Sequence, residues 1–161
     1  MQTEDQWLPL FEWLEMTGPA LMVSDSIWLF PVLEAIHLLG LCLLGGAVLV
    51  VDLRILGLTM KEQPIAELAI QMHRWLLLAL AILLSTGVFL FLSEAVKCYF
   101  NQAFWVKMIT LPIALAFTFF VRQRAAKKAA LEAASSTKLV ALASLVLWFT
   151  VAAAGRWIGF S

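Results

Sequence analysis

The sequence predicts an all-α integral membrane protein, a bundle of four transmembrane helices behind an N-terminal amphipathic segment. Three observations carry that prediction. Hydrophobic residues make up 63% of the chain and charged residues 14%, whereas a soluble domain is roughly half apolar and about a quarter charged. Mean hydropathy is +0.93. The apolar residues also gather into four runs, each near the ~20 residues that cross ~30 Å of hydrocarbon as a helix. Barrel-type alternation is absent, and a helix in lipid satisfies its own backbone hydrogen bonds. The 161 residues suffice for one domain.

The elements follow in order. Residues 1–25 form the first part, in which 5–22 carry Trp7, Leu8, Leu10, Phe11, Trp13 and Leu14 beside acidic residues, then Gly18-Pro19. This reads as a short amphipathic helix along the membrane surface. The segment is acidic and lacks a basic leader region, so it is not read as a cleavable signal. The bundle occupies 26–161, with spans expected at 27–51, 75–96, 103–121 and 139–160. Ser24, Asp25 and Ser26 offer caps for the first span, and Pro64 suits the first turn of the helix leading into the second. Asn101 precedes the third, and Ser135, Ser136 and Thr137 precede the fourth.

Lysine and arginine set the expected orientation. Arg54, Lys61 and Arg74 join spans 1 and 2, while Arg122, Arg124, Lys127, Lys128 and Lys138 join spans 3 and 4. Only Lys97, Lys107 and Arg156 lie near the opposite ends. The positive-inside rule then puts both termini in the periplasm of a bacterial inner membrane. The stretch 122–138 reads as a solvated basic connection that touches anionic lipid. The lipid bilayer is the expected partner, with a homo-oligomer or a larger membrane complex beside it. Nothing signals nucleic acid, since no basic patch is interleaved with aromatics.

Function has to come from polar residues inside the spans, which are costly there and mark working sites. In "LEAIHLLGLCLLGG" (33–46), His37 lies about ten residues into the first span, roughly 15 Å deep. Glu34 is one turn outward. At ~100° per residue Glu34, Leu41, Gly45, Val48 and Asp52 share a stripe flanked by His37, which is expected to face the bundle interior. Gly40, Gly45 and Gly46 allow close approach of a helix or a flat ligand. His73 stands at the opposite edge beside Arg74 and Trp75, where water and headgroups satisfy it.

His37, His73 and Met108 are the candidate metal ligands. The two histidines differ in depth by roughly 18 Å, which argues against one iron held by both. Met108 comes within roughly 8 Å of His37 in depth and fits a His/Met pair. Copper held by His37, Met108 and Cys42 is an alternative. A satisfied structural pair that fixes helix contacts through interhelical hydrogen bonds is a third reading of Glu34 and His37, and the same spacing is also the one in which a carboxylate orients a metal-binding imidazole.

The strings "HLLGLCLLGGAVLVVDLRILGL" (37–58), "HRW" (73–75) and "STGVFLFLSEAVKCYFNQAFWVKM" (85–108) resemble an uncharacterised family of small bacterial four-span membrane proteins. More distantly, a histidine-bearing four-helix unit is similar to copper-export and cytochrome b561-type membrane proteins, which implies helix-borne histidines binding copper or haem b. The expected function is therefore haem b binding and electron transfer in the bilayer, with His37 as axial ligand. Glu34 and Met108 complete the expected cofactor site, and Arg54, Arg74 or Arg156 would answer the propionates. The alternatives are a copper-handling protein and a non-catalytic subunit of a larger membrane complex.

Overall fold

A computed structural model of the chain describes residues 6–129 and 133–159, and the described residues are almost wholly helical. Four helices long and apolar enough to cross a membrane pack together: Leu29–Ile55, Ile65–Ser93, Gln102–Lys128 and Ser135–Ile158. The four expected spans are all present, and each differs from its apolar run at the ends. Position 160, the expected end of the fourth span, and 130–132 of the basic loop lie outside the described residues, as do 1–5 of the N-terminal segment.

The N-terminal segment is two helices, α1 (Leu8–Glu15) and α2 (Gly18–Ser24). The break falls at Thr17, whose backbone is extended and whose hydroxyl donates to Leu14 O at 2.7 Å. Pro19 then sits in the first turn of α2, where its missing N–H is harmless. Phe11 is buried against Phe91 and Tyr99, with ring centroids 5.9 and 4.9 Å away. Trp7 and Trp13 stay exposed.

Helix α3 (Leu29–Ile55) starts where Ser26 Oγ accepts from Leu29 N at 3.2 Å. It runs four residues past the apolar run because its last turn is buried: Val51, Asp52, Arg54 and Ile55 are all inside. The following loop turns through Gly57 at φ 77°, a conformation glycine adopts without a side-chain clash. Arg54 fastens that loop, donating from Nε to Gln63 O (2.7 Å) and from an η nitrogen to Lys61 O (2.9 Å).

Helix α4 (Ile65–Ser93) begins directly after Pro64, ten residues ahead of the purely apolar stretch. Its first turns are amphipathic and bury Ile65, Leu68 and Ala69 against Val51, Ile55, Ala126 and Ala141. After the short α5 (Ala95–Phe100), α6 (Gln102–Ala116) opens with Asn101 as its cap, the side chain accepting from Ala103 N at 2.9 Å. Glu15 does the same for α5, accepting from Val96 N at 2.8 Å, so α1 is tied to the corner between α4 and α6.

The third crossing is not one uniform α-helix. Pro112 lies inside α6, and a π-helical turn over Phe117–Arg122 separates α6 from α7 (Gln123–Lys128). In an α-helix every fourth residue drifts by ~40°. The wider π turn offsets that drift, and Ala114, Thr118, Arg122 and Ala126 all end up buried at 1% exposure or less. Helix α8 (Ser135–Ile158) closes the bundle against α6 and α3. The mid-bundle core is Leu44, Val48, Leu76, Ala79, Ala114 and Trp148 with their neighbours.

At the loop end of this core, Arg122 Nε donates to Asp52 Oδ1 at 2.6 Å, with both side chains essentially without solvent contact. A second guanidinium nitrogen donates to Val48 O at 3.0 Å. Arg122, expected in the solvated basic connection, is thus a core residue, carried inward by the π turn. Removing one partner strands a buried charge, so Arg122→Ala should lower unfolding stability by about 3–5 kcal/mol. The double variant Asp52→Leu/Arg122→Met should recover most of that loss in thermal denaturation of detergent-solubilised protein. A double variant no more stable than the single one would refute this account of the pair.

Candidate functional site

Two polar side chains within the spans, His37 on α3 and Lys107 on α6, define the candidate site. His37 is half-buried, one turn before Gly40, the first residue on α3 that is fully buried. Its Nδ1 lies 2.8 Å from Thr86 Oγ1 on α4. Thr86 Oγ1 is also 2.6 Å from Ile82 O, to which it donates. A hydroxyl has one proton, so toward His37 it acts as acceptor and Nδ1 is the protonated ring nitrogen. Nε2 then keeps its lone pair. Gly87 makes this placement possible: a Cβ there would stand 3.3 Å from His37 Cε1.

Lys107 is the ionisable neighbour of His37. Its Nζ lies 3.4 Å from where a Cβ of Gly155 on α8 would be, so the absent side chain leaves room for the ammonium between α6 and α8. Among the described residues Lys107 forms no salt bridge. Small residues at 87 and 155 therefore do for the side chains what such residues usually do for whole helices in membranes, allowing close approach.

A second polar layer lies toward the loop end. Besides Asp52 and Arg122, Gln123 Nε2 is 3.1 Å from His73 Nδ1, and Trp148 Nε1 donates to Thr118 Oγ1 at 2.9 Å. Asp52 Oδ2, Gln123 Oε1 and Ser144 Oγ are buried and have no partner among the described residues. The dry mid-bundle core separates this layer from His37.

The expected site residues distribute as follows. His37 faces α4, but Glu34 is exposed on the surface of α3, and the partner of the imidazole is Thr86. Met108 is 47% exposed on the outer surface, while Lys107 at the same depth is turned inward. Cys42 is exposed as well, so the two sulfur atoms do not converge on His37. Arg54 is committed to the loop carbonyls of Lys61 and Gln63. Arg74 and Arg156 are exposed at opposite ends of the bundle. His73 is half-buried and bonded to Gln123, with Phe119 edge-on to its ring, rather than satisfied by headgroups. Among the described residues no three His, Cys, Asp or Glu side chains converge to hold a metal ion.

Sequence reasoning missed Thr86, Lys107 as the inward group, and the Asp52–Arg122 pair. The stripe through Val48 and Asp52 held the signal for the pair. An inward carboxylate at the end of a span requires a cation, and the nearest candidates closed the third span.

These observations define a multi-pass membrane protein: four membrane-crossing helices with a tautomer-fixed histidine in one half and a buried ion pair in the other. The chain belongs to DUF6644, a family of unknown function, over residues 10–161. No curated protein and no solved structure matches it. The similarity to copper-export and cytochrome b561-type proteins therefore gains no support from relatives.

Outside the spans, Cys98 on α5 is buried beside Phe11, Ala95 and Phe104. Burial first, then the nearby Glu94 carboxylate, pushes its thiol up to about 11. A raised folded value means the stability of the buried neutral thiol is full below the unfolded value near 9.0 and is lost as pH rises through about 11. In a Cys42→Ser background, alkylation of Cys98 by iodoacetamide should accelerate only above about pH 10. Full reactivity already at pH 8.5 would contradict this packing.

Proposed function

We propose that this protein binds haem b inside the membrane through His37 and passes electrons within the bilayer. One observation carries the reading. The Thr86 hydroxyl fixes the imidazole with Nδ1 protonated, the arrangement that presents Nε2 to a metal and holds the ring in one orientation. Bound haem would supply one-electron redox chemistry, and the chain's residues would do the rest.

His37 would be the axial ligand, and Thr86 would hold its ring against the bare backbone of Gly87. Lys107, turned inward on α6, would supply positive charge to a porphyrin carboxylate, while Arg54 is engaged with the carbonyls of Lys61 and Gln63. Met108 and Glu34, both exposed, have no part in this version of the site. Copper is less well supported, since Cys42 and Met108 give it no converging sulfur set.

We further propose a bacterial inner membrane with both termini in the periplasm, which the distribution of cations supports. Exposed Lys61, Arg74, Arg124, Lys127, Lys128 and Lys138 crowd the loop end, against Lys97 and Arg156 at the other. Alkaline phosphatase fused after the last residue should be active in intact cells, and an inactive fusion beside an active one in the 56–64 loop would reverse the orientation.

The spectrum decides the function. Protein purified from haem-supplied cells should show a Soret band that shifts on dithionite reduction. His37→Ala should abolish it, Thr86→Val should weaken haem affinity about 10–100-fold, and His73→Ala should leave it intact. Colourless wild-type protein, or a band that survives His37→Ala, refutes the assignment.

A further inference from the structure

The outer surface of the bundle carries two grooves that meet at one tryptophan. The larger, about 570 Å³, runs along α4 and is lined by Ile70, Gln71, Arg74, Trp75 and Leu78. The smaller, about 300 Å³, lies between α3 and α4, lined by residues that include Cys42, Gly46, Val50, Met72 and Trp75. Gly46 leaves it open, since a Cβ at that position would meet nothing within 4 Å. Polar and apolar groups are sorted along the larger one, and the smaller is lined by apolar residues and Cys42. Gln71 and Arg74 stand at the loop end, where α4 has not yet become purely apolar. Leu78 and Cys42 lie deeper, along the lipid-crossing part of the helices.

We propose that this surface binds one anionic phospholipid of the basic leaflet, with its phosphate on Arg74 and an acyl chain in each groove on either side of Trp75. The Arg74 guanidinium is exposed, and no bond or ion pair ties it to another described residue. It has the planar donor set that suits a phosphate. Trp75 is half-exposed, with an apolar body and an N–H for an ester oxygen at the membrane interface. Glu67, one turn further out, accepts from Gln71 Nε2 at 3.3 Å and so turns that amide toward itself. The phosphate contact is left to Arg74 and the indole. From Val50 to Cys42 the α3–α4 groove extends about 12 Å, enough for most of the upper half of an acyl chain. A bilayer surface attracts every exposed cation at this end, whereas this site requires the arginine and both grooves together.

Full-length protein in neutral detergent micelles separates the two effects, because no anionic surface is present. Native mass spectrometry against added phosphatidylglycerol should show one lipid bound in preference to phosphatidylcholine. Arg74→Gln should weaken that binding about fivefold, and Gly46→Leu, which fills the smaller groove without touching a charge, should weaken it as well. Lys128→Gln, which removes an exposed charge at the same end, should leave it unchanged. All three variants can be checked for unaltered thermal unfolding in detergent alone. Equal losses in Arg74→Gln and Lys128→Gln, undiminished binding in Gly46→Leu, or displacement of the lipid by inorganic phosphate at equal concentration would each overturn the proposal.

Discussion

A single ion pair organises the bundle. Asp52 and Arg122 lie 70 residues apart in the chain and meet with essentially no solvent contact. A charge in that setting has no tolerable alternative to its partner, so the pair fixes the axial register of α3 against the third crossing more tightly than apolar packing would. The interlocking pieces follow from it. Val48 O receives the second guanidinium bond, one turn above Asp52. The π turn keeps Thr118 in line with Arg122, and Thr118 receives the indole N–H of Trp148 from α8. Two residues beyond Asp52, Arg54 closes the loop into α4. Three of the four crossings are thereby positioned from one buried charge.

The other half of the bundle is held more loosely. Burial on α3 begins only at Gly40, and the first turns of that helix expose Val32, Glu34 and Ile36. His37 is placed at this transition, tied to α4 by a hydroxyl and resting on a glycine. The tight half provides the frame against which the half-buried ring is held.

Much of this was legible in the residues. Composition and run length gave four crossings, Ser26 and Asn101 cap the helices they precede, and α4 starts just after Pro64. These are local effects, written within three or four residues. What was illegible depends on distance in the chain. Arg122 looked like one of several basic loop residues, because nothing near it discloses a π turn or a carboxylate on another helix. The Glu34 stripe assumed that α3 is covered along its whole length. Periodicity reports which residues align, not where neighbouring helices stop. Thr86 was visible as a polar residue in a span, yet its use required knowing that Gly87 lets an imidazole lie against the same turn.

The carboxylate of Glu15 that caps α5 has a consequence for how the molecule is made. Its acceptor role waits for Val96, 81 residues further on, and Phe11 waits for Phe91 and Tyr99. At ~5–20 residues per second, ribosomal synthesis needs roughly 4–16 s to deliver those partners. The α1 helix therefore settles only once α5 has been made, and for those seconds Phe11 has only lipid or a chaperone to shelter it.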